Sequence, residues 1–102
     1  MLIKLSDYTT TPGGRLKHCG PFSGEEWKDR VVEPAFISCR DNKQVLMIDF
    51  DNVVGVPMSF LDEAVAKMIK KYPDVVYEII CNDDPYLKAD IRHCLMEPPD
   101  EP

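Results

Sequence analysis

Two aspartates, Asp49 and Asp51, have the spacing that most plainly suggests chemistry in this sequence. They follow the apolar run Val45 to Ile48, which predicts a strand, so both side chains are expected on one face at its carboxyl end. Paired carboxylates in that position can hold Mg²⁺. Because no phosphate-binding element accompanies them, we favour the alternative in which Asp49 accepts backbone amides of the next loop. In that alternative Asp51 and Asn52 lie exposed at the loop's rim.

The histidines and cysteines could in principle support metal binding or catalysis. Two His-Cys dipeptides stand at 18–19 and 93–94, while Cys39 and Cys81 are isolated. Adjacent residues of a strand or helix point in different directions, and no C-x-x-C pair occurs, so neither zinc nor a thioredoxin-like redox site is indicated. The Walker A, G-x-G-x-x-G, H-E-x-x-H and G-x-S-x-G motifs are absent. The predictions are reduced structural thiols, no catalytic residue, no metal and no cofactor, and hence not an enzyme.

Composition narrows the class of protein. The chain has 102 residues, 44% of them hydrophobic, and a formal net charge of −6. This length and hydrophobicity suit one domain with a modest core, and the acidic balance argues against nucleic acid or an anionic membrane as the partner. No apolar run approaches the roughly 20 residues of a membrane helix. The segment Met1 to Leu5 is too short and polar for a signal peptide, so a cytoplasmic protein is expected.

Strands and helices alternate along the chain, which favours β-α-β crossovers and an α/β fold. Strands are predicted at Leu2 to Leu5, Val45 to Ile48 and Val75 to Cys81, and Arg15 to Cys19 is a fourth candidate that would pair with the first strand as a hairpin. Amphipathic helices are predicted near 24–37, 59–71 and 85–96. The prediction is a single domain over 1–96 with a mixed, mostly parallel sheet of about four strands, followed by a disordered acidic tail at 97–102.

Helix ends are indicated by capping residues. Ser23 begins an S-x-x-E capping box, and Asp84 precedes a proline at the first helical position. Ser59 stands three residues before an aspartate and is predicted to cap the central helix. Pro34 is expected to kink the first helix or to end it near Glu33.

Several segments resemble one family. They are D-F-D-N-V at 49–53, V-P-M-S-F-L-D-E-A at 56–64, T-P-G-G-R at 11–15, P-F-S-G-E-E-W at 21–27, and N-D-D-P-Y-L before the last helix. Together they resemble the STAS domain of bacterial anti-sigma-factor antagonists, and more closely the STAS-like family of small bacterial and phage proteins. The resemblance covers most of the chain. Read without it, T-P-G-G-R is more simply a tight turn between two strands than a phosphate-binding turn.

The resemblance implies a non-enzymatic regulatory module that docks a protein partner at the loop and helix spanning 53–71. That partner would be a histidine-kinase-like ATPase of the anti-sigma type. The predicted contact residues are Val53, Gly55, Val56, Pro57, Met58, Ser59 and Phe60. In STAS antagonists a serine before this helix is phosphorylated by the partner, but Met58 occupies that position here and Pro57 replaces the usual preceding aspartate. Ser59, one residue later, is the possible phosphosite, although a capping role is favoured.

Two other functions stay open at this point. One is a small-ligand or nucleotide sensor that binds an anion at the N-terminus of helix 59–71. Asp49 and Asp51 weigh against it, because carboxylates repel phosphate near the positive end of the helix. The other is a structural subunit of a larger complex, tethered through the acidic tail.

Overall fold

The computed structural model describes residues 1–96 and contains a three-stranded sheet in which every pairing is parallel. The strands are β1 (Leu2–Lys4), β2 (Leu46–Asp49) and β3 (Tyr77–Ile80), in that spatial order, with β2 in the middle. Ile48 of β2 lies between Ile3 and Ile79. The prediction of a mostly parallel α/β sheet is therefore confirmed. The predicted tail, 97–102, lies outside the described residues.

Three helical segments accompany the sheet, and two of them contain a wider π-helical turn. The first helical segment consists of α1 (Gly24–Trp27), a π turn (Lys28–Val32) and α2 (Glu33–Asn42). The second helical segment consists of α3 (Met58–Leu61), a π turn (Asp62–Ala66) and α4 (Lys67–Lys71). The third is α5 (Pro85–Met96), and short 3-10 turns occupy Leu5–Asp7 and Lys17–Cys19. Within the described part of the chain, no helix has the length and apolar character needed to cross a membrane.

Only one face of β2 is well covered. Leu46 and Ile48 are fully buried, but Val45 just before the strand is 43% exposed and Met47 is half-buried. A continuous apolar run such as Val45 to Ile48 is typical of a strand covered on both faces, and that expectation is wrong here. Both crossovers advance in the same direction across the sheet, so right-handed connections place the two helical segments on the same face. The contacts between these segments agree with that arrangement.

The core is organised around Trp27, which is fully buried. Its ring stacks on Phe60 of the second helical segment with centroids 5.9 Å apart, and meets Phe50 edge-on at 6.2 Å. Aromatic pairs at such distances contribute about 1 kcal/mol each beyond the area they bury. The indole Nε1 of Trp27 is buried and has no hydrogen-bond partner among the described residues.

The predicted fourth strand does not form. Residues Lys17–Cys19 make a 3-10 turn, and all three are exposed, so no alternating inward face exists to hold a strand. The backbone just before this turn is already engaged elsewhere. The carbonyls of Gly14 and Arg15 accept from the N–H groups of residues 24 and 25, each at 2.9 Å. The T-P-G-G-R segment therefore runs beside the start of α1 and is not a turn between two strands.

The first helical segment continues past Pro34 to Asn42 and does not end near 37 as predicted. The π turn before the proline explains this. There the N–H of Glu33 donates to the carbonyl of Lys28, five residues earlier, so the hydrogen-bond pattern is already shifted where the proline lacks a donor. The segment ends at Lys43, whose left-handed backbone (φ 55°) returns its N–H to the carbonyl of Cys39.

Two of the three predicted caps are confirmed. The Ser23 hydroxyl accepts from the N–H of Glu26 at 3.1 Å, and an Asp84 carboxylate oxygen accepts from the N–H of Leu87 at 3.1 Å. The cap predicted at Ser59 is wrong. The helix begins one residue earlier than expected, with Pro57 at the N-cap, and no side chain within residues 1–96 caps it. Ser59 therefore lies inside the first turn, where its hydroxyl is not in the capping position.

We expect Ser23→Ala to lower the free energy of unfolding by about 1 kcal/mol, because it removes the cap of a buried helix start. Ser59→Ala is the matched control, and its effect should be within about 0.5 kcal/mol of zero. Urea denaturation followed by far-UV circular dichroism measures both. Equal losses in the two variants would contradict the assignment of the caps.

Candidate functional site

The loop that follows β2 is held at several points. The N–H of Phe50 donates to the carbonyl of Ile80 at 2.8 Å, which ties the start of the loop to β3. The N–H of Val54 donates to the carbonyl of Thr10, also at 2.8 Å. Asn52 adopts a left-handed backbone (φ 67°) that turns the chain between these two ties. The loop is thus fixed on both sides before it enters α3.

An apolar surface results at the tip of this loop. Val54 is 80% exposed and Met58 is 40% exposed, although both are apolar. Residues 54–57 line a groove of about 420 Å³ together with Thr11 and Pro12. We call the set Pro12, Val54, Pro57 and Met58 the apolar loop surface. It combines the loop predicted from sequence with the 11–15 segment, which sequence alone did not place beside it.

The predicted contact residues divide into an exposed and a buried group. Pro57 and Met58 are exposed, and Val53, Gly55 and Ser59 are half-buried. Val56 is only 8% exposed, and Phe60 is fully buried against Trp27. Because α3 begins at Met58, Phe60 falls on the inward side of the first turn and cannot lie on a docking surface. Gly55 has φ +127°, a conformation that L side chains rarely adopt.

The carboxylates at the sheet's edge join two loops. As predicted, Asp49 accepts a backbone amide of its own loop, that of Asp51, at 2.8 Å. The Asp51 side chain was expected at the exposed rim, but it is half-buried and accepts from the N–H groups of Asn82 and Asp83. In return, the Asp83 carboxylate accepts from the N–H of Asn52 at 2.9 Å. The loops after β2 and β3 therefore brace each other.

A possible cation site at this edge is better explained as part of the brace. Ligand atoms of Asp51, Cys81 and Asp83 lie within 4.8 Å of one another. The pKa of Asp51 is lowered mainly by the N–H of Asn82, so its charge is already stabilised by the loop. Burial raises the pKa of the Cys81 thiol, whose Sγ lies 3.7 Å from the carbonyl of Asp84. A protonated thiol and two carboxylates engaged by amides are a poor ligand set for a metal.

Below the loop, a charged network ties the 11–15 segment to the second helical segment. Glu63 is only 4% exposed, and its carboxylate contacts Lys67 at 2.7 Å, Lys28 at 3.3 Å and Arg15 at 3.5 Å. Arg15 also binds Asp62 at 2.7 Å. Burial alone would raise the pKa of Glu63, but the hydrogen bonds from Lys67 and Lys28 lower it. The network thus positions the residues that flank the groove.

Sequence reasoning missed this network. The spacing of Glu63 and Lys67 four residues apart was visible, since such pairs are neighbours on a helix. Arg15 and Lys28, however, are brought in by the packing of the first helical segment against the second. That packing follows from tertiary structure and leaves no local signal in the sequence.

Because its folded-state pKa is lowered, ionised Glu63 contributes stability above its unfolded pKa, and this contribution is lost as pH falls through the folded value. We expect Glu63→Gln to lower the free energy of unfolding at pH 7 by about 2 kcal/mol, less than for a fully buried pair because the partners reach solvent. The loss should shrink on acidification below about pH 4.5. Denaturation at a series of pH values measures this, and a loss independent of pH would contradict it.

The family comparison agrees with this fold. The family model described as a STAS-like domain of unknown function (DUF4325) matches residues 23–83. No curated protein and no solved structure matches the chain. The matched region begins at the Ser23 cap and ends at Asp83, so it contains the first and second helical segments, β2, β3 and the loop that joins β2 to α3. Since this is more than half of the sequence, the chain belongs to the STAS-like domain family.

Proposed function

We propose that this protein is a non-enzymatic regulatory module that docks a protein partner through the apolar loop surface. The observation that carries the proposal is the 80% exposure of Val54, which lines one groove with Pro12 and Pro57, next to the exposed Met58 at the start of α3. Exposed apolar residues that cluster around a groove are typical of interaction sites, whereas scattered ones are ordinary.

The rigidity of the loop supports this function. The ties of Val54 to Thr10 and of Asn52 to Asp83 hold the loop before any partner arrives. A surface that is ordered in advance loses less conformational entropy on binding. Phe60, buried beneath, anchors the first turn of α3 so that Met58 is held outward. Its flexible thioether suits a surface that must adapt to a partner's shape.

The partner we propose is a histidine-kinase-like ATPase of the anti-sigma type. Membership of the STAS-like family and the resemblance of this loop and helix to the antagonists support that choice. The contact would use Val53, Gly55, Pro57, Met58 and Ser59 together with Val54 and Pro12. Val56 and Phe60 would support it from below, because both are buried.

The competing function is a small-ligand or nucleotide sensor at the N-terminus of the second helical segment. The groove lining weighs against it, since Thr11 supplies the one polar side chain there among the described residues, and residues 54–57 with Pro12 are apolar or glycine. Asp51 and Asp83 stand on the loops at the same edge of the sheet, where their charge disfavours an anion. Protein docking therefore accounts better for the apolar character of the groove.

We expect Met58→Asp and Val54→Asp each to weaken partner binding at least tenfold, about 1.4 kcal/mol, because a charge enters the apolar contact. Val76→Asp is the matched control, since Val76 is 62% exposed just before β3, at the opposite end of the sheet. The partner would be recovered by co-purification with the tagged protein from its native host, and affinities measured by calorimetry.

Thermal melting of each variant verifies that folding is retained. Normal binding by both loop variants, with the fold intact, would place the docking surface elsewhere. A recovered partner that is not an ATPase would overturn the partner assignment while leaving the surface in place.

We further expect docking to be independent of phosphorylation, because Met58 occupies the position of the usual phosphoacceptor. After incubation with the partner, Mg²⁺ and ATP, the intact mass should show no added phosphate. Mg²⁺ and ATP without the partner should leave the melting temperature unchanged. A phosphate on Ser59, which has no capping role to occupy its hydroxyl, would instead establish a phosphorylation switch. A thermal shift with ATP alone would favour the sensor.

A further inference from the structure

A second groove lies along the outer edge of β1, and it shares no residue with the apolar loop surface. It has a volume of about 370 Å³, within the range of peptide- and ligand-binding clefts. One wall is β1 itself, with Leu2, Ile3 and Lys4. The opposite wall and floor come from the first helical segment and the turn after β1, through Trp27, Arg30, Val31, Asp7 and Tyr8.

The groove follows the strand's edge and not one of its faces. Neighbouring side chains of a strand point to opposite faces, so three consecutive residues can line one groove only along the backbone edge. Among the described residues β1 has a single strand neighbour, β2. The N–H of Met47 donates to the carbonyl of Met1, so the alternation of a parallel ladder turns Leu2 and Lys4 outward. The outward N–H groups of both residues and the carbonyl of Leu2 have no strand partner within residues 1–96, whereas the carbonyl of Lys4 faces the 3-10 turn that Lys4 caps.

The side chains around this edge favour an acidic guest. Arg30 and Lys4 are both exposed, and Asp7 is the acidic residue that lines the groove. Arg30 lies 3.8 Å from the Glu26 carboxylate, which leaves the rest of its guanidinium available. The apolar positions Leu2, Ile3 and Val31 provide contacts for uncharged side chains between these charges.

Trp27 lies beneath this groove. Its ring is fully buried, so a guest would lie above the indole and would not contact its Nε1. The indole therefore serves as a fluorescence reporter of the groove and is not itself a recognition group.

We propose that the groove binds an extended peptide segment of a protein partner, which adds to the sheet as a fourth strand beside β1 and directs an acidic side chain to Arg30. Main-chain hydrogen bonds to the N–H groups of Leu2 and Lys4 and to the carbonyl of Leu2 would provide affinity, and Arg30 with Lys4 would select for negative charge. This site goes beyond the proposed function, because it would bind an extended strand by main-chain pairing and lies apart from the apolar loop surface. Met58→Asp should therefore leave it unaffected.

The test uses a short fluorescein-labelled peptide of alternating valines and threonines with a central glutamate. Two matched peptides accompany it, one with lysine in place of glutamate and one N-methylated at alternate amides so that it cannot pair as a strand. Fluorescence polarisation measures affinity for the full chain. We expect the glutamate peptide to bind, the lysine peptide to bind about fivefold more weakly, and the N-methylated peptide not to bind.

Variants of the protein sharpen the result. Arg30→Glu should reverse the preference toward the lysine peptide, whereas Arg92→Glu, at an exposed arginine of α5, should not. Leu2→Pro removes an outward N–H that has no partner in the sheet and should weaken every peptide, with folding verified by melting. Trp27 is the protein's single tryptophan, so a change in its emission on binding would locate the guest beside it.

Three outcomes would overturn the proposal. They are absence of binding by the glutamate peptide, equal binding by its N-methylated form, and an unchanged preference in Arg30→Glu. Self-association of the protein that disappears in Leu2→Pro, measured by sedimentation, would also overturn it by assigning the edge to a second copy of this chain.

Discussion

The packing of Trp27 between Phe50 and Phe60 is the interaction on which the rest of the structure depends. It joins the first helical segment, the loop that leaves β2 and the second helical segment at one buried point. At this point the backbone of α1 lies directly against the backbone of Phe60. A Cβ at Gly24 would lie only 2.6 Å from the carbonyl oxygen of Phe60. A glycine at the start of α1 therefore permits the stacking. Removal of the aromatic cluster would remove the contact that holds the two helical segments and the loop after β2 together.

The candidate surfaces follow from this constraint. With Phe60 held in the core, the first turn of α3 presents Met58 and Pro57 to solvent, and the loop before it is closed by hydrogen bonds to Thr10 and Asp83. Glu63, one turn further along the second helical segment, forms ion pairs with Arg15 and Lys28. The pair with Arg15 holds the 11–15 segment against this helical segment. Val54 is thus exposed because hydrogen bonds hold its loop in this conformation, and not because the loop is poorly packed.

The sheet differs from most parallel sheets, which have both faces covered by helices. Here the two crossovers place their helices on one face, and β1 ends the sheet on the other side of β2 from β3. An exposed strand edge invites pairing with another chain, and proteins usually cover or shorten such edges. The edge of β1 is short, at three residues, and is flanked by Lys4 and Arg30. These features limit indiscriminate pairing and are compatible with selective recognition of an acidic strand.

Local patterns in the sequence by themselves determined the α/β class, the three strands, the position of α5 and the caps at Ser23 and Asp84. These features depend on the hydrophobic periodicity and on hydrogen bonds between residues a few positions apart. They can therefore be predicted from short stretches of sequence. The start of the central helix at Met58, the loss of the strand at 15–19 and the burial of Phe60 were decided by tertiary structure. For the strand and for Phe60, another element supplied the competing partner: the start of α1 binds the backbone of Gly14 and Arg15, and Trp27 packs on the ring of Phe60. These contacts join separate elements of the fold, and no periodicity in the sequence indicates which of them will form.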